Sequence, residues 1–218
     1  SEQIEIVLGI GRYMRKKGTL NTIVRYETLF TAMQYISFAL KGKPFMGVGR
    51  NLSYKKDLFF RNKGFASHLK VLSGDDDLFV NEVANKINTG IALSQESHTV
   101  SIPPANWSEW FKQKKRHLST GKYYKPSSKR MLGIEYSSRF LFYSSFFLLL
   151  FHGPWTLPVI TIGFLLIIVK GTIVKLAMNR LNEQDLLLSS LIFDIFMPIV
   201  LFILSIANII RPRGPKWS

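Results

Sequence analysis

The stretch 155–174, WTLPVITIGFLLIIVKGTIV, contains a single charged residue, Lys170. A helix rises about 1.5 Å per residue, so a run of about 20 mostly apolar residues reaches across the hydrocarbon layer of a bilayer. Two further tracts flank it, 138–152 and 190–210, which makes 138–218 a membrane region of about three spans. The first tract reaches spanning length only if its helix begins near 131–135. His152-Gly153-Pro154 has the composition of a tight turn between the first two spans.

Working outward from these tracts, the chain divides by charge. Residues 1–137 hold 22 Lys and Arg against 11 Asp and Glu, and 138–218 hold 7 against 3. The densest basic run, Lys112 to Arg130, has eight cations and no acid and abuts the apolar region. A net charge of +15 suits nucleic acid, anionic lipid or phosphorylated substrates. The place of the run beside the membrane tracts favours lipid headgroups and phosphates over a DNA groove. The 119–137 segment reads as a basic interfacial stretch, with Tyr123 and Tyr124 as interface anchors. The sequence has no cysteine, which removes disulfides, thiolate nucleophiles and Cys-based zinc sites. It opens at Ser1 and runs almost at once into apolar Ile4–Ile10, so it reads as a piece of a longer chain.

Before the tracts, strands and helices alternate, which predicts part of an α/β domain over 1–118. Alternation predicts strands at 4–8, 44–54, 89–93 and 99–102, and Arg12 to Lys17 reads as a loop. Helical spacing without Pro or Gly predicts a long helix from Thr19 to Leu40, ended by Gly42. Short helices are expected at 57–62, closed by Lys63-Gly64, and at 76–87. Pro103-Pro104 breaks the chain before Asn106 or Ser108, either of which can cap a helix to His117.

Two clusters carry candidate chemistry. Gly74-Asp75-Asp76-Asp77 places three carboxylates together, and like charges a few ångströms apart raise one another's pKa, which suits a general base. The same residues suit an ordinary acidic first turn of a helix. Asp75-x-Asp77 also has the spacing by which two carboxylates hold a divalent ion, but its position after the Gly-rich strand favours the base. Gln113 and Arg116 lie one turn apart on a helix with His117 adjacent, so an amide and a guanidinium converge as a pyrophosphate leaving group requires. A basic helix at a membrane surface accounts for them equally. Gly47-Val-Gly49-Arg50-Asn51 is neither a dinucleotide fingerprint nor a phosphate loop. Its use is close backbone approach to a sugar, with Arg50 and Asn51 as polar contacts, or plain strand packing. Trp107 and Trp110 offer indole faces for a pyranose or for the core. His68, His98 and His152 show no metal-ligand spacing.

Taken in order, Gly47–Asn51, Gly74–Asp77, Trp107-Ser-Glu-Trp110 and Gln113–His117 resemble the C-terminal half of a membrane-bound family 2 glycosyltransferase, the group of the cellulose, chitin, hyaluronan and poly-N-acetylglucosamine synthases. The resemblance covers roughly residues 1–130. It implies a partial GT-A-type domain followed by transmembrane helices, and inverting transfer from a nucleotide-sugar donor to a glycan or lipid-linked acceptor. Asp75 or Asp76 then falls at the base, with Asp75 preferred by the register that aligns Leu78. Gln113, Arg116 and His117 face the diphosphate, and Gly49, Arg50, Asn51, Asp77 and Trp110 lie on the acceptor side. His117 stands where the family's Gln-x-x-Arg-Trp element carries Trp. The resemblance also implies a nucleotide-binding half ahead of Ser1, holding a Mg or Mn ion on ligands outside this chain, so that the chain alone is expected to be inactive. The implied location is a bacterial inner membrane with the catalytic part cytoplasmic, and nucleic acid is not among the implied partners. The rival class is a non-catalytic anchored module whose basic segment binds anionic lipid.

Overall fold

A computed structural model describes residues 3–69, 71, 73–151 and 154–210. Its elements in order are β1 (Ile6–Leu8), β2 (Gly11–Tyr13), α1 (Thr19–Leu40), β3 (Leu52–Tyr54), α2 (Lys56–Arg61), α3 (Asp75–Val83), β4 (Thr89–Ile91), β5 (Thr99–Ser101), α4 (Trp107–Leu118), α5 (Pro126–Phe151), α6 (Thr156–Leu181) and α7 (Leu187–Ile210). Helix accounts for 68% and strand for 7%, in sheets of three and two strands. That balance overturns the expected α/β, GT-A-type domain: the fold is largely helical.

The physical reason lies in how little the strands pair. Strand β1 lies between β3, antiparallel, and β4, parallel, and β2 pairs with β5 in a separate parallel ribbon. Each ladder is three residues long. The expected strand at 44–54 survives only as β3, because Gly49–Asn51 turns into a 3-10 helix where backbone must pass close to α3. A Cβ at Gly49 would come within 2.6 Å of the Asp76 carboxylate. In turn Arg12 and Tyr13, expected in a loop, form β2.

Helix α1 matches its expected bounds and is buried almost all round. It contributes Ile23, Val24, Tyr26, Leu29, Ala32, Tyr35 and Ile36 to two apolar clusters, and buries Arg25 and Glu27 as well. Buried charges at this level demand partners. Arg25 finds them in Glu183 and Asp185, which lie in the connection between α6 and α7, and Arg15 also bridges to Asp185 at 2.8 Å. The β1 strand, α3 and the inner faces of α1 and α6 share one cluster, in which Ile6, Leu8, Phe45, Phe79 and Met178 are almost fully enclosed. Lys63 and Gly64, both at positive φ, close α2 as expected.

Two helical segments, Thr156–Leu181 and Gln184–Ala207, are long and apolar enough to cross a membrane. Only 17% of the apolar window of the first is buried, so its Leu and Ile side chains face outward, as lipid-facing residues do and soluble core residues do not. Helix α5 is as long, but Lys129, Arg130, Glu135 and Arg139 occupy its first half, and it does not meet the same criterion. Pro198 does not split the third tract: α7 runs through it, and Tyr136 donates a hydrogen bond of 2.8 Å to the Pro198 carbonyl. Lys170 sits inside α6. His152 and Gly153, read as a turn, lie outside the described residues.

Candidate functional site

The N-terminus of α3, one face of α4, the 46–50 segment and α1 enclose a cavity of about 910 Å³. Its walls bring together Asp75, Asp76 and Asp77 with Gln113, Arg116 and His117, from segments more than thirty residues apart in sequence. Gly49, Arg50 and Trp110 line it too. Asn51 does not. Its amide donates to the Ile10 and Ser97 carbonyls at 3.0 and 2.7 Å, so it ties β1 and the 3-10 turn at 95–97 together rather than contacting a ligand.

The carboxylate wall starts where α3 does. Gly74 has φ +81, a left-handed turn that delivers the chain into the helix with three acids in its first turn, favoured by the helix dipole. The three are held differently. Asp75 is exposed, Asp76 accepts a hydrogen bond from the Gly49 backbone N–H, and Asp77 keeps some surface on the cavity wall but is otherwise enclosed. Desolvation pushes the Asp77 carboxyl well above the usual carboxylate range, and the Asp76 charge adds to the shift. A hydrogen bond with Tyr124 opposes it, and Asp75 adds a smaller upward push.

The α4 part of the lining carries cations. Asn106 caps α4 by accepting the Glu109 N–H at 3.0 Å, and Glu109 reaches back to the Ala105 N–H at 2.8 Å, which sets the start and rotation of the helix. Gln113 and Arg116 then share the cavity face, and Gln113 donates to the Tyr13 hydroxyl at 2.8 Å. The Arg50 guanidinium lies 4.0 Å over the Tyr13 ring and donates to the Gly11 and Arg12 carbonyls. His117 is accessible from the cavity yet surrounded by protein at longer range. That desolvation, with Lys114, Arg116 and Arg50 nearby, pushes its pKa down to about 4, so the ring is neutral at pH 7.

Two aromatic assignments change. Trp110 borders the cavity but is buried, its indole N–H donating to Glu27 at 2.8 Å, so its face is not offered to a sugar, and exposed Trp107 is not part of the cavity lining. Tyr124, expected as a membrane anchor, is buried against Phe45, and only Tyr123 is exposed. Sequence reasoning missed Glu27, Lys114, Tyr13 and Tyr124. Glu27 left one signal, an acid inside an otherwise apolar helix face. It accepts from Trp110 and pairs with Lys114 at 2.9 Å, fixing α4 against α1.

The chain matches no family model, and no curated protein matches it significantly.

A divalent ion is the one cofactor the sequence implied, and the acidic wall fits it poorly. No group of three or more His, Asp or Glu side chains among the described residues could hold a metal. Asp76 accepts from the Gly49 N–H through one oxygen, and Asp77 is held by Tyr124. The lining brings carboxylates of α3 together with an amide, a guanidinium and an imidazole of α4 at one cavity.

Proposed function

We propose that this cavity is the acceptor and leaving-group side of a membrane-bound, inverting sugar transferase acting on a nucleotide-sugar donor. One observation supports the reading: an acidic cluster and a Gln-x-x-Arg element, singled out independently in sequence, line the same cavity. Carboxylates and cations at one cavity suit a reaction in which a proton leaves one group and negative charge develops on another.

Asp76 is the base, since the Gly49 N–H orients it where Asp75 is exposed. It takes the proton of an acceptor hydroxyl as that oxygen bonds to the anomeric carbon. The bond from that carbon to the diphosphate oxygen breaks in line, and its electron pair leaves with the diphosphate. Arg116 and Gln113 bind the departing anion, and neutral His117 adds no charge. Holding acceptor and donor together supplies much of the acceleration. In this reading the reaction runs at a bilayer, for which the two apolar helices are the support, with the basic 112–130 run toward anionic headgroups on the cytoplasmic side of a bacterial inner membrane and cell-envelope polysaccharide as the product class. Donor binding and its divalent ion belong to residues beyond these.

The test uses membranes carrying the natural full-length product of the gene, supplied with radiolabelled nucleotide sugars in turn. Asp76→Asn should lose about 10²- to 10⁴-fold in transfer, with Asp75→Asn affected less. Full turnover in Asp76→Asn, with Asp75→Asn dead, moves the base by one residue. Wild-type membranes inert toward every donor favour the alternative, an anchored module that binds anionic lipid, for which exposed Lys122, Lys129 and Arg130 are the supporting observation.

A further inference from the structure

A second cavity, of about 680 Å³, opens among α1, α5, α6 and α7, and nothing in sugar transfer uses it. Its walls are almost wholly apolar, Phe30, Phe142, Phe146 and Ile167 among them, except for one cluster of charge. There Asp194 of α7 accepts from Lys170 of α6 and Tyr143 of α5, while Arg139 pairs with Glu135. Two cations and two anions cancel, which is how ionisable groups persist among apolar helices. The cancellation leaves a remainder. Asp194 Oδ1 has no hydrogen-bond donor, Arg139 Nη1 standing 3.8 Å away, although its side chain is only 8% exposed. Lys170, whose side chain is 41% exposed, lines the same cavity and has three donors, of which two are taken by Asp194 and Tyr143.

We propose that this cavity binds a neutral, hydroxyl-bearing membrane lipid of the diacylglycerol type, independently of the reaction assigned to the first cavity. A hydroxyl both donates and accepts, so one group answers the open oxygen of Asp194 and the remaining N–H of Lys170. A phosphate only accepts and would face a carboxylate, and a bare hydrocarbon would leave a buried polar atom unsatisfied, at a real cost in free energy. Depth agrees. Phe193 and Met197, on either side of Asp194, pack on the cluster containing Tyr26 and Trp110, so the charges sit where the N-terminal part meets the apolar helices. That is the level of a glycerol backbone, with room for acyl chains along the apolar walls. Volumes of this order are usual for small-molecule sites.

The experiment places the full chain in phosphatidylcholine vesicles with a diacylglycerol carrying a photoreactive diazirine on one acyl chain, and maps the labelled peptides. Label is expected on α5, α6 and α7 around Tyr143 and Lys170. Dioleoylglycerol should compete, and its O-methyl ether should compete about tenfold less well, the loss of one hydrogen bond to a charged group. Dioleoylphosphatidylglycerol should not compete. Gly171→Phe tests the cavity without touching the charges, because Gly171 lines it and a Cβ there meets no atom within 4 Å. That variant should lose the label while keeping the wild-type unfolding temperature. Equal competition by the ether, competition by phosphatidylglycerol, or undiminished label in Gly171→Phe would each overturn the proposal.

Discussion

The two cavities arrange their charged side chains in different ways. In the first, three carboxylates gather on α3, and Arg50 and Arg116 line the same cavity in no ion pair among the described residues, while Lys114 pairs with Glu27. In the second, every cation has an acid beside it, Glu135 on the same helix for Arg139 and Asp194 on a neighbouring helix for Lys170. Charges kept apart at a water-accessible wall leave net field for a ligand to neutralise, whereas charges paired in apolar surroundings neutralise one another and hold helices together. The same distinction applies to Arg25 with Glu183 and Asp185, a paired cluster that fastens α1 to the link between α6 and α7. Paired charges should therefore govern stability, and separated charges should govern binding.

The hardest test of that division is Arg25→Met. It keeps the volume of the side chain but leaves Glu183 buried without its cation, at a cost of about 3–5 kcal/mol. Thermal unfolding of the full chain in detergent should show the loss. If the variant unfolds within a degree of wild type, the cluster is a bystander and the division fails on its stability side.

On the binding side, Arg116→Met should leave unfolding within about 0.5 kcal/mol of wild type, as an exposed side chain should. Pyrophosphate affinity, read by calorimetry, should fall about 10- to 100-fold, the worth of charge-assisted hydrogen bonds from one guanidinium. Unchanged affinity would mean that the separated cations do not form an anion site.

How far the sequence carried the reading follows the same line. Helix α1 was legible to the residue because its twenty-two residues lack Pro and Gly, exceed the length of a usual strand and carry Leu20, Ile23, Val24, Phe30 and Met33 at helical spacing. Two of the three apolar tracts were legible as helices long enough to cross a membrane because composition alone marks them, while the tract at 138–152 belongs to a helix that does not meet the same criterion. The α/β assignment failed because apolar alternation reports only that a segment can be extended. Whether it pairs is decided by where Gly49 must yield to Asp76 and where Asn51 ties β1 to a distant loop. At the site, Asp75–Asp77 and Gln113–His117 announced themselves as clusters in sequence. Glu27 and Tyr124 were hidden because their partners, Trp110 and Asp77, lie 83 and 47 residues away and only the fold brings them near.

Asp77 gives a smaller effect with an opposite sign from most buried carboxylates. Its folded pKa is raised, so between the ordinary value of about 4 and that raised value the folded chain holds a proton that the unfolded chain releases. Its contribution is full below the unfolded pKa and is lost as pH rises through the folded one. Asp77→Asn should flatten that decline and unfold at a higher temperature than wild type at pH 8, with the gap closing toward pH 4. A gap that widens toward acid would show that Asp77 is ionised and paired, on the model of the second cavity rather than the first.

The mildest effect sits on His117, where the two arrangements can be told apart at one ring. Burial and the cations Lys114, Arg116 and Arg50 hold its pKa down to about 4, against about 6.5 in an unfolded chain. The stability it lends is present above 6.5 or so and is lost as pH falls toward 4. NMR titration of the ring should find it neutral at pH 7. Pyrophosphate should raise its pKa part of the way, by cancelling the cations and not the desolvation. Lys114 is already answered by Glu27, so the response should come through Arg116 and Arg50. A ring that titrates near 6.5, and that pyrophosphate leaves unmoved, would place His117 outside the field of the separated cations and return α4 to being a basic helix at a membrane surface.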